Sequence, residues 1–364
     1  MSLISTLFCV GLVWAAPDDL RGLEIVDAPV IHPAYREMHA LIVGIDSYVN
    51  DSLNLEYAVS DAQGVAEMLA ERFEFASTTV LRNEEATRAN VLSALDAYRS
   101  LDPEDGLFIF WAGHGTQENT ATGDALGYLV PHDGTFAPDR LLIDNISMVQ
   151  LKDAIGKRIP AKHKLLVVDA CYGGILATRN ANMPEVDEAY VRAATSEPAF
   201  QVLTAGRADQ PVLDGGPGGH SVFTGRFIES LDNIDQYSTA SQIHSEVAPR
   251  VRQDAFDRGE RVQTPVFASV MGLGDFVWIP KGSVEIDPRL EMMTALRGRL
   301  KRISTAEEPC APWIDQALEV FELSEANLVA ALDHRQQHTA DAEATWMRGL
   351  SVLLDGVGCT GAER

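Results

Sequence analysis

Two short pieces of the chain carry a base and a nucleophile: Trp111-Ala112-Gly113-His114-Gly115 and Asp169-Ala170-Cys171-Tyr172-Gly173-Gly174. A thiol with a pKa of about 8.5 is only partly ionised at neutral pH, and a neighbouring imidazole takes its proton and later hands it to a leaving amine. The chemistry such a pair can do is acyl transfer through a thioester. Glycines on both sides of His114 and after Cys171 let a substrate backbone come close and leave peptide N–H groups to face a developing oxyanion. Taken alone, a cysteine after a buried strand is most often an inert core residue. The pairing with Gly-His-Gly argues for catalysis.

Each piece ends an apolar run, Leu107-Phe108-Ile109-Phe110-Trp111-Ala112 for the histidine and Lys164-Leu165-Leu166-Val167-Val168 for the cysteine. Short, continuously apolar runs read as strands buried on both faces of a parallel sheet. Loops leaving the carboxyl ends of such strands face a common crevice, where His114 and Cys171 could meet. Further runs near 39–45, 77–81, 199–204 and 265–271 alternate with helical patterns at 62–73, 87–101 and 222–231. This predicts an α/β architecture with a mainly parallel six-stranded sheet covered on both faces. After Pro280-Lys281-Gly282-Ser283 the pattern is helical only, with stretches at 313–333 and 339–354 on either side of a polar break that predict an antiparallel hairpin.

Four further segments carry a family resemblance: His39-Ala40-Leu41-Ile42-Val43-Gly44-Ile45, Tyr57-Ala58-Val59-Ser60-Asp61-Ala62, Ala199-Phe200-Gln201-Val202-Leu203-Thr204-Ala205-Gly206-Arg207 and Gly219-His220-Ser221-Val222-Phe223-Thr224. Together with the two motifs, from about His39 to Trp278, the chain resembles caspase-fold cysteine proteases of peptidase family C14, in the bacterial metacaspase or orthocaspase branch. The resemblance implies a three-layer sandwich, His114 as general base, Cys171 as nucleophile, and the backbone of Gly115 and Cys171 as the oxyanion hole. It also implies that Asp61 and Asp169 hold the side chain before the cleaved bond. A carboxylate pair offers Arg a bidentate partner and Lys a charge partner and repels Asp or Glu, so cleavage after Arg or Lys is expected. Self-processing is expected in the connection near 176–198, which contains Arg179 and Arg192.

The chain departs from the family pattern in two places. Tyr172-Gly173 follows the cysteine where the pattern has His-Ser, and the segment after His114 has only Asp124 and Asp133 as hard oxygen donors. Calcium prefers about six to eight oxygens, so the sequence gives no good case for a calcium site and leaves calcium activation open; no other cofactor is expected, and no His/Cys spacing makes a metal site. His132, His163 and His220 compete for the role of base but read as surface or capping residues. Two other readings stay open: a relative of the same fold with Asn or Asp specificity, and a catalytically silent module that binds a partner through its helical tail.

With 364 residues, 46% of them hydrophobic, the chain can bury one large core and a smaller one. A formal net charge of −24 argues against nucleic acid and favours peptides with basic residues as partners. Met1 to Ala16 is uncharged and largely apolar, with Val13 and Ala15 in small-residue positions before a cut, and is too short to span a bilayer comfortably. The expected organisation is a signal peptide at 1–15, a leader at 16–38, a catalytic domain at 39–284 and a helical domain at 285–364. Export to the periplasm or medium follows, with no stable membrane insertion after signal removal. Cys310 and Cys359 flank the helical hairpin, and a disulfide between them would close a loop of about 50 residues, contributing about 4 kcal/mol in the chain-entropy model.

Overall fold

The computed structural model describes residues 34–119, 125–170, 194–195, 197–207, 210, 212–259, 262–283, 287–305, 311–333 and 336–356. Its strands are β1 (Met38–Gly44), β2 (Ser77–Arg82), β3 (Gly106–Ala112), β4 (Gly115–Asn119), β5 (Ala125–Leu129), β6 (Ile146–Ser147), β7 (His163–Asp169), β8 (Ala199–Thr204), β9 (Ser238–Thr239), β10 (Val266–Gly272) and β11 (Val277–Trp278). Its helices are α1 (Ala58–Arg72), α2 (Arg88–Ala97), α3 (Leu141–Asp144), α4 (Met148–Asp153), α5 (Val222–Asp232), α6 (Ala240–Asp257), α7 (Pro288–Thr305), α8 (Ala311–Asp333) and α9 (Gln337–Gly356).

Six strands form one sheet in the order β10-β8-β7-β3-β1-β2, parallel except for β10, which runs antiparallel to β8. Successive side chains on a strand point to opposite faces, so one apolar run supplies two cores. Phe108, Phe110, Leu165 and Val167 pack under α1, α5 and α6 with Val65, Phe223 and Val247. Their neighbours Leu107, Ile109, Leu166 and Val168 pack on the other side with Val91 and Leu95 of α2 and Met148 and Leu151 of α4. The result is the expected caspase-like three-layer sandwich, and each of the six expected apolar runs becomes a strand of the sheet.

α1 is seated by Asp46, whose carboxylate accepts from the backbone N–H of Ala58 (2.7 Å) and Val59 (3.2 Å), two of the orphan donors at the helix start. Gly44 at the end of β1 makes the close approach feasible, since a Cβ there would lie 2.5 Å from the Ala58 carbonyl oxygen. α5 is capped by Ser221, whose hydroxyl accepts from the Thr224 N–H at 3.0 Å. These two helix starts face the carboxyl end of the sheet.

Beyond the sheet, α7, α8 and α9 share a separate core that includes Leu290, Leu300, Phe321, Leu328 and Met347. α8 and α9 form the expected hairpin, joined by Ser324 and Asn327 to Glu343. α7 lies against the amino end of the sheet, where Glu104 accepts from Lys162 (2.9 Å), Arg297 (3.0 Å) and Lys301 (2.7 Å) and Asp102 pairs with Arg302.

Three features differ from the sequence reading. β4, β5 and β6 form a small antiparallel sheet after His114, hidden in the sequence because Gln117-Glu118-Asn119 is polar. α7 has no clear apolar stripe in the sequence because Arg297, Arg299, Lys301 and Arg302 crowd its second half. His163 is no surface residue: it is fully buried at the amino end of β7, donates from Nε2 to the Glu197 carbonyl (2.9 Å) and accepts from Tyr35. Burial and the Lys162 charge push its pKa down to about 3, so it stays neutral. The proposed signal stretch, Arg179, Arg192, Cys310 and Cys359 lie outside the described residues. Among the described residues, no helix is long and apolar enough to cross a membrane.

Candidate active site

β3 and β7 are adjacent, and their register pairs Ala112 with Asp169, so the two strands end at the same level. A hydrogen bond from the Gly113 N–H to the Asp169 carbonyl (3.2 Å) extends the pairing one step beyond the strand. His114 stands just after that point. Cys171 is equally two positions past the end of its strand and lies outside the described residues.

His114 is held from three sides. Its N–H donates to the Tyr48 hydroxyl (2.8 Å), its carbonyl accepts from Val130 (3.0 Å), and its Nε2 lies 2.8 Å from the Leu53 carbonyl oxygen. A carbonyl only accepts, so Nε2 carries the hydrogen and Nδ1 is the lone-pair nitrogen of the neutral ring. The Leu53 carbonyl is itself fixed by a folded loop. Asn54 accepts from the Tyr48 N–H (2.9 Å), Asn83 accepts from the N–H groups of Asp46 (3.0 Å) and Ser47 (2.9 Å), and Asp46 ties the loop to α1. Tyr48 packs under the imidazole with ring centroids 5.2 Å apart, and Phe136 stands edge-on to it at 5.3 Å. A Cβ on Gly113 would lie 2.9 Å from the Tyr48 hydroxyl oxygen, which explains the glycine before the histidine. Burial lowers the His114 pKa against the opposing pull of the Leu53 carbonyl, and so favours the neutral ring.

Asp61 and Asp169 come together beneath α5, and Ser221 joins them. Asp61 Oδ1 accepts from the Ser221 N–H (3.0 Å), while Asp169 Oδ2 accepts from the Ser221 hydroxyl (2.5 Å) and the Thr224 hydroxyl (2.5 Å). His220, expected as a surface or capping residue, also reaches Asp61, Nδ1 to Oδ1 at 3.1 Å, and is part of this cluster just ahead of α5. Asp169 Oδ1 is buried without a hydrogen-bond partner among the described residues. Burial first, and the Asp61 charge second, raise the Asp169 pKa to about 7 despite the two hydroxyl donors. Asp214 is raised by burial and by the charges of Asp61, Glu56 and Asp46. Among the described residues, no Lys or Arg forms an ion pair with Asp61, Asp169 or Asp214. The arrangement is a buried carboxylate cluster at the same sheet end as a neutral imidazole, a chemistry suited to holding a cation next to a base.

Gly115, the expected oxyanion donor, opens β4 opposite Leu129. Asp133 accepts from the Arg88 N–H (2.7 Å) and so serves the start of α2, while Asp124 lies outside the described residues. Glu37, His39 and Asp105 come close enough to one another to hold a metal ion, but they sit at the opposite end of the sheet, where Arg36 already pairs with Asp105 at 3.0 Å. The sequence reading missed Tyr48, Leu53, Asp214 and the roles of His220, Ser221 and Thr224. The Gly-His-Ser-Val-Phe-Thr segment was visible, but only the fold shows which carboxylates it serves.

The sequence profile of peptidase family C14, described as the caspase domain, matches residues 37–277. Metacaspase-1 of Schizosaccharomyces pombe is 29% identical over 149 residues, covering 37% of this chain and 33% of its own length. Metacaspase-2 of Arabidopsis thaliana is 30% identical over 156 residues, covering 39% of this chain and 36% of its own length. The chain thus spans about a third of the length of these relatives. Among solved structures, caspase-1 of Spodoptera frugiperda superimposes with a TM-score of 0.46 at 17% identity, over 70% of this chain and 97% of the other.

Proposed function

Since the chain belongs to the caspase-domain family of peptidases, we propose that it is a cysteine endopeptidase that cuts after Arg or Lys, with His114 and Cys171 as its catalytic pair. The observation that supports this reading is the register of β3 and β7, which ends the two strands level, so that His114 and Cys171 each follow by two positions at the sheet end where Asp61 and Asp169 meet. The Cys171 thiol gives its proton to His114 Nδ1, and the thiolate attacks the carbonyl carbon of the scissile bond. The backbone N–H groups of Gly115 and Cys171 hold the oxyanion. The C–N bond then breaks as the imidazolium returns the proton to the leaving amine, and a water deprotonated by His114 hydrolyses the thioester. No cofactor takes part.

Asp61 and Asp169, helped by Asp214, receive the basic side chain, and Asp169 Oδ1 gains the partner it lacks. Buried carboxylates of one sign repel Asp or Glu and gain little from Asn, which argues against the alternative specificities. The enzyme is proposed to be exported and to cut itself after Arg179 or Arg192. Replacing both arginines should leave a single intact chain in denaturing gels, and amino-terminal sequencing of the exported protein checks the cut after Ala15.

Fluorogenic peptides with Arg, Lys, Asn or Asp before the reporter, with and without calcium, test the main reading. Hydrolysis after Arg and Lys that disappears in Cys171→Ala supports it. Absence of any Cys171-dependent hydrolysis overturns it in favour of a silent binding module.

A further inference from the structure

Beside His114 the protein leaves one large apolar side chain partly in water, and the loop that carries it holds two more. Phe136 meets the imidazole edge-on at 72°, yet it is 42% exposed. The same loop, between β5 and β6, presents Leu142 and Ile143 from α3, 68% and 62% exposed. Large apolar residues gathered on one exposed loop mark a place where something docks.

This loop is held in shape. Buried Asn145 accepts from the Thr135 N–H (3.1 Å) and donates to the Thr135 carbonyl (2.8 Å), closing the neck of the loop. Gly134 fits so closely there that a Cβ would lie 2.5 Å from Asn145 Oδ1. Arg140 clamps Asp144 across α3 through two hydrogen bonds, at 2.5 and 2.7 Å. The apolar side chains are therefore carried on a fixed frame.

The layers of the fold determine what part of a substrate could reach them. Leu129, Val130, Ile146 and Met148, which flank the loop, belong to the core on the α2 and α4 face. Asp61 and Ser221 start from α1 and α5, whose apolar residues belong to the core on the opposite face. His114 stands at the sheet end where the two faces meet. In acyl transfer the imidazole takes a proton from the thiol and gives it to the leaving amine, so the acyl half of the substrate and the leaving half lie on either side of it. With the acyl half committed to the carboxylates, the leaving half falls on the Phe136 side.

We propose that Phe136, Leu142 and Ile143 form the subsite for the leaving peptide, and that it selects aromatic or branched apolar side chains in the first two positions after the cleaved bond. This inference rests on the protease reading above and adds a second specificity to it: a basic residue before the bond and an apolar one after it.

The test uses internally quenched peptides that share Arg before the scissile bond and carry Gly, Asp, Leu or Phe after it, with wild type, Phe136→Ala, Phe136→Leu and the double variant Leu142→Ser/Ile143→Ser. Wild type should favour Leu or Phe over Gly by about tenfold in kcat/KM, the gain expected for an apolar side chain entering a half-open apolar site. That ratio should fall to about two or less in Phe136→Ala and largely return in Phe136→Leu. The double variant should lose preference chiefly in a second set of peptides that varies the next position in the same way. The pH profile on the Gly peptide tells binding from an indirect effect. If Phe136→Ala moves the acid limb and slows all four peptides equally, Phe136 only tunes the imidazole and the subsite is overturned. Cleavage by wild type with no preference after the bond overturns the subsite and leaves the protease reading standing. No Cys171-dependent cleavage of any peptide overturns both.

Discussion

The two ends of the central sheet hold the same kind of side chain in opposite ways. At the amino end, Asp102, Glu104 and Asp105 are almost fully buried and ringed by Arg36, Lys162, Arg297, Lys301 and Arg302. Burial works against Glu104, but the Lys162, Arg297 and Lys301 charges together overcome it and hold its pKa down at about 2. At the carboxyl end, Asp61 and Asp169 are equally buried, and their neighbours are two hydroxyls, a backbone N–H and His220. Asp169 rises to about 7. The comparison separates two settings of a buried carboxylate: one already has its cations and serves as a joint, while the other has no Lys or Arg partner among the described residues, as the proposed receptor for a basic side chain requires.

The largest expected effect is at the joint. Glu104→Gln leaves Lys162, Arg297 and Lys301 facing no full negative charge at that position, and should lower unfolding free energy by about 3–5 kcal/mol, read from urea midpoints. Preference for the residue before the cleaved bond should not change. The reciprocal change, Asp61→Ala, should reduce kcat/KM on Arg peptides by about a hundredfold or more, as for truncation of one partner of a buried charge pair, with unfolding free energy held or raised. Equal losses on Arg and apolar peptides would break the comparison, because Asp61 would then act on the fold and not on the substrate.

A pH series sharpens it further. Asp169 is protonated below about pH 7, so KM for Arg peptides should fall as pH rises through 7, and Asp169→Asn should flatten that limb. Its effect on stability has the opposite sign. The folded-state pKa of about 7 lies above the unfolded value of about 4, so Asp169 favours the folded state at low pH and that contribution is lost as pH climbs from 4 to 7. Urea midpoints measured without substrate should decline across this window in wild type and not in Asp169→Asn. The smallest effect belongs to Arg302→Ala. Arg302 is partly exposed and Asp102 keeps Arg36 at 3.6 Å, so about 1 kcal/mol should be lost, less at high salt.

Much of this was legible in the sequence where local rules suffice. The sheet could be read because its strands are buried on both faces and written as unbroken apolar runs such as Leu107 to Ala112. His114, Asp61 and Asp169 could be named from their motifs, and the α8–α9 hairpin from its period. What could not be read depends on contacts between distant segments. Nothing near Ser221 announces that it bridges two carboxylates 160 and 52 positions away. Leu53 contributes only a carbonyl oxygen, for which its side-chain type is irrelevant. His163 looked superficial because two lysines flank it, yet Lys162 is neutralised by Glu104 and Lys164 donates to the Ile159 carbonyl at 3.0 Å, so all three are buried. Phe136 lay in a turn-rich loop whose rigidity comes from Asn145, a residue with no motif around it.

The joint also orders events in time. Glu104 sits in a turn in the first third of the chain, while Arg297 and Lys301 follow it by 193 and 197 positions. Synthesis delivers the turn long before its partners, and closing so long a loop is a slow, entropically costly step. α8 and α9, by contrast, meet through neighbours in sequence and can pair quickly. Docking of α7 is therefore expected to come last in folding, completing a sheet end where until then three carboxylates face Arg36 and Lys162 without the cations of α7. The same helical unit is expected to be the first to detach when the protein is stressed.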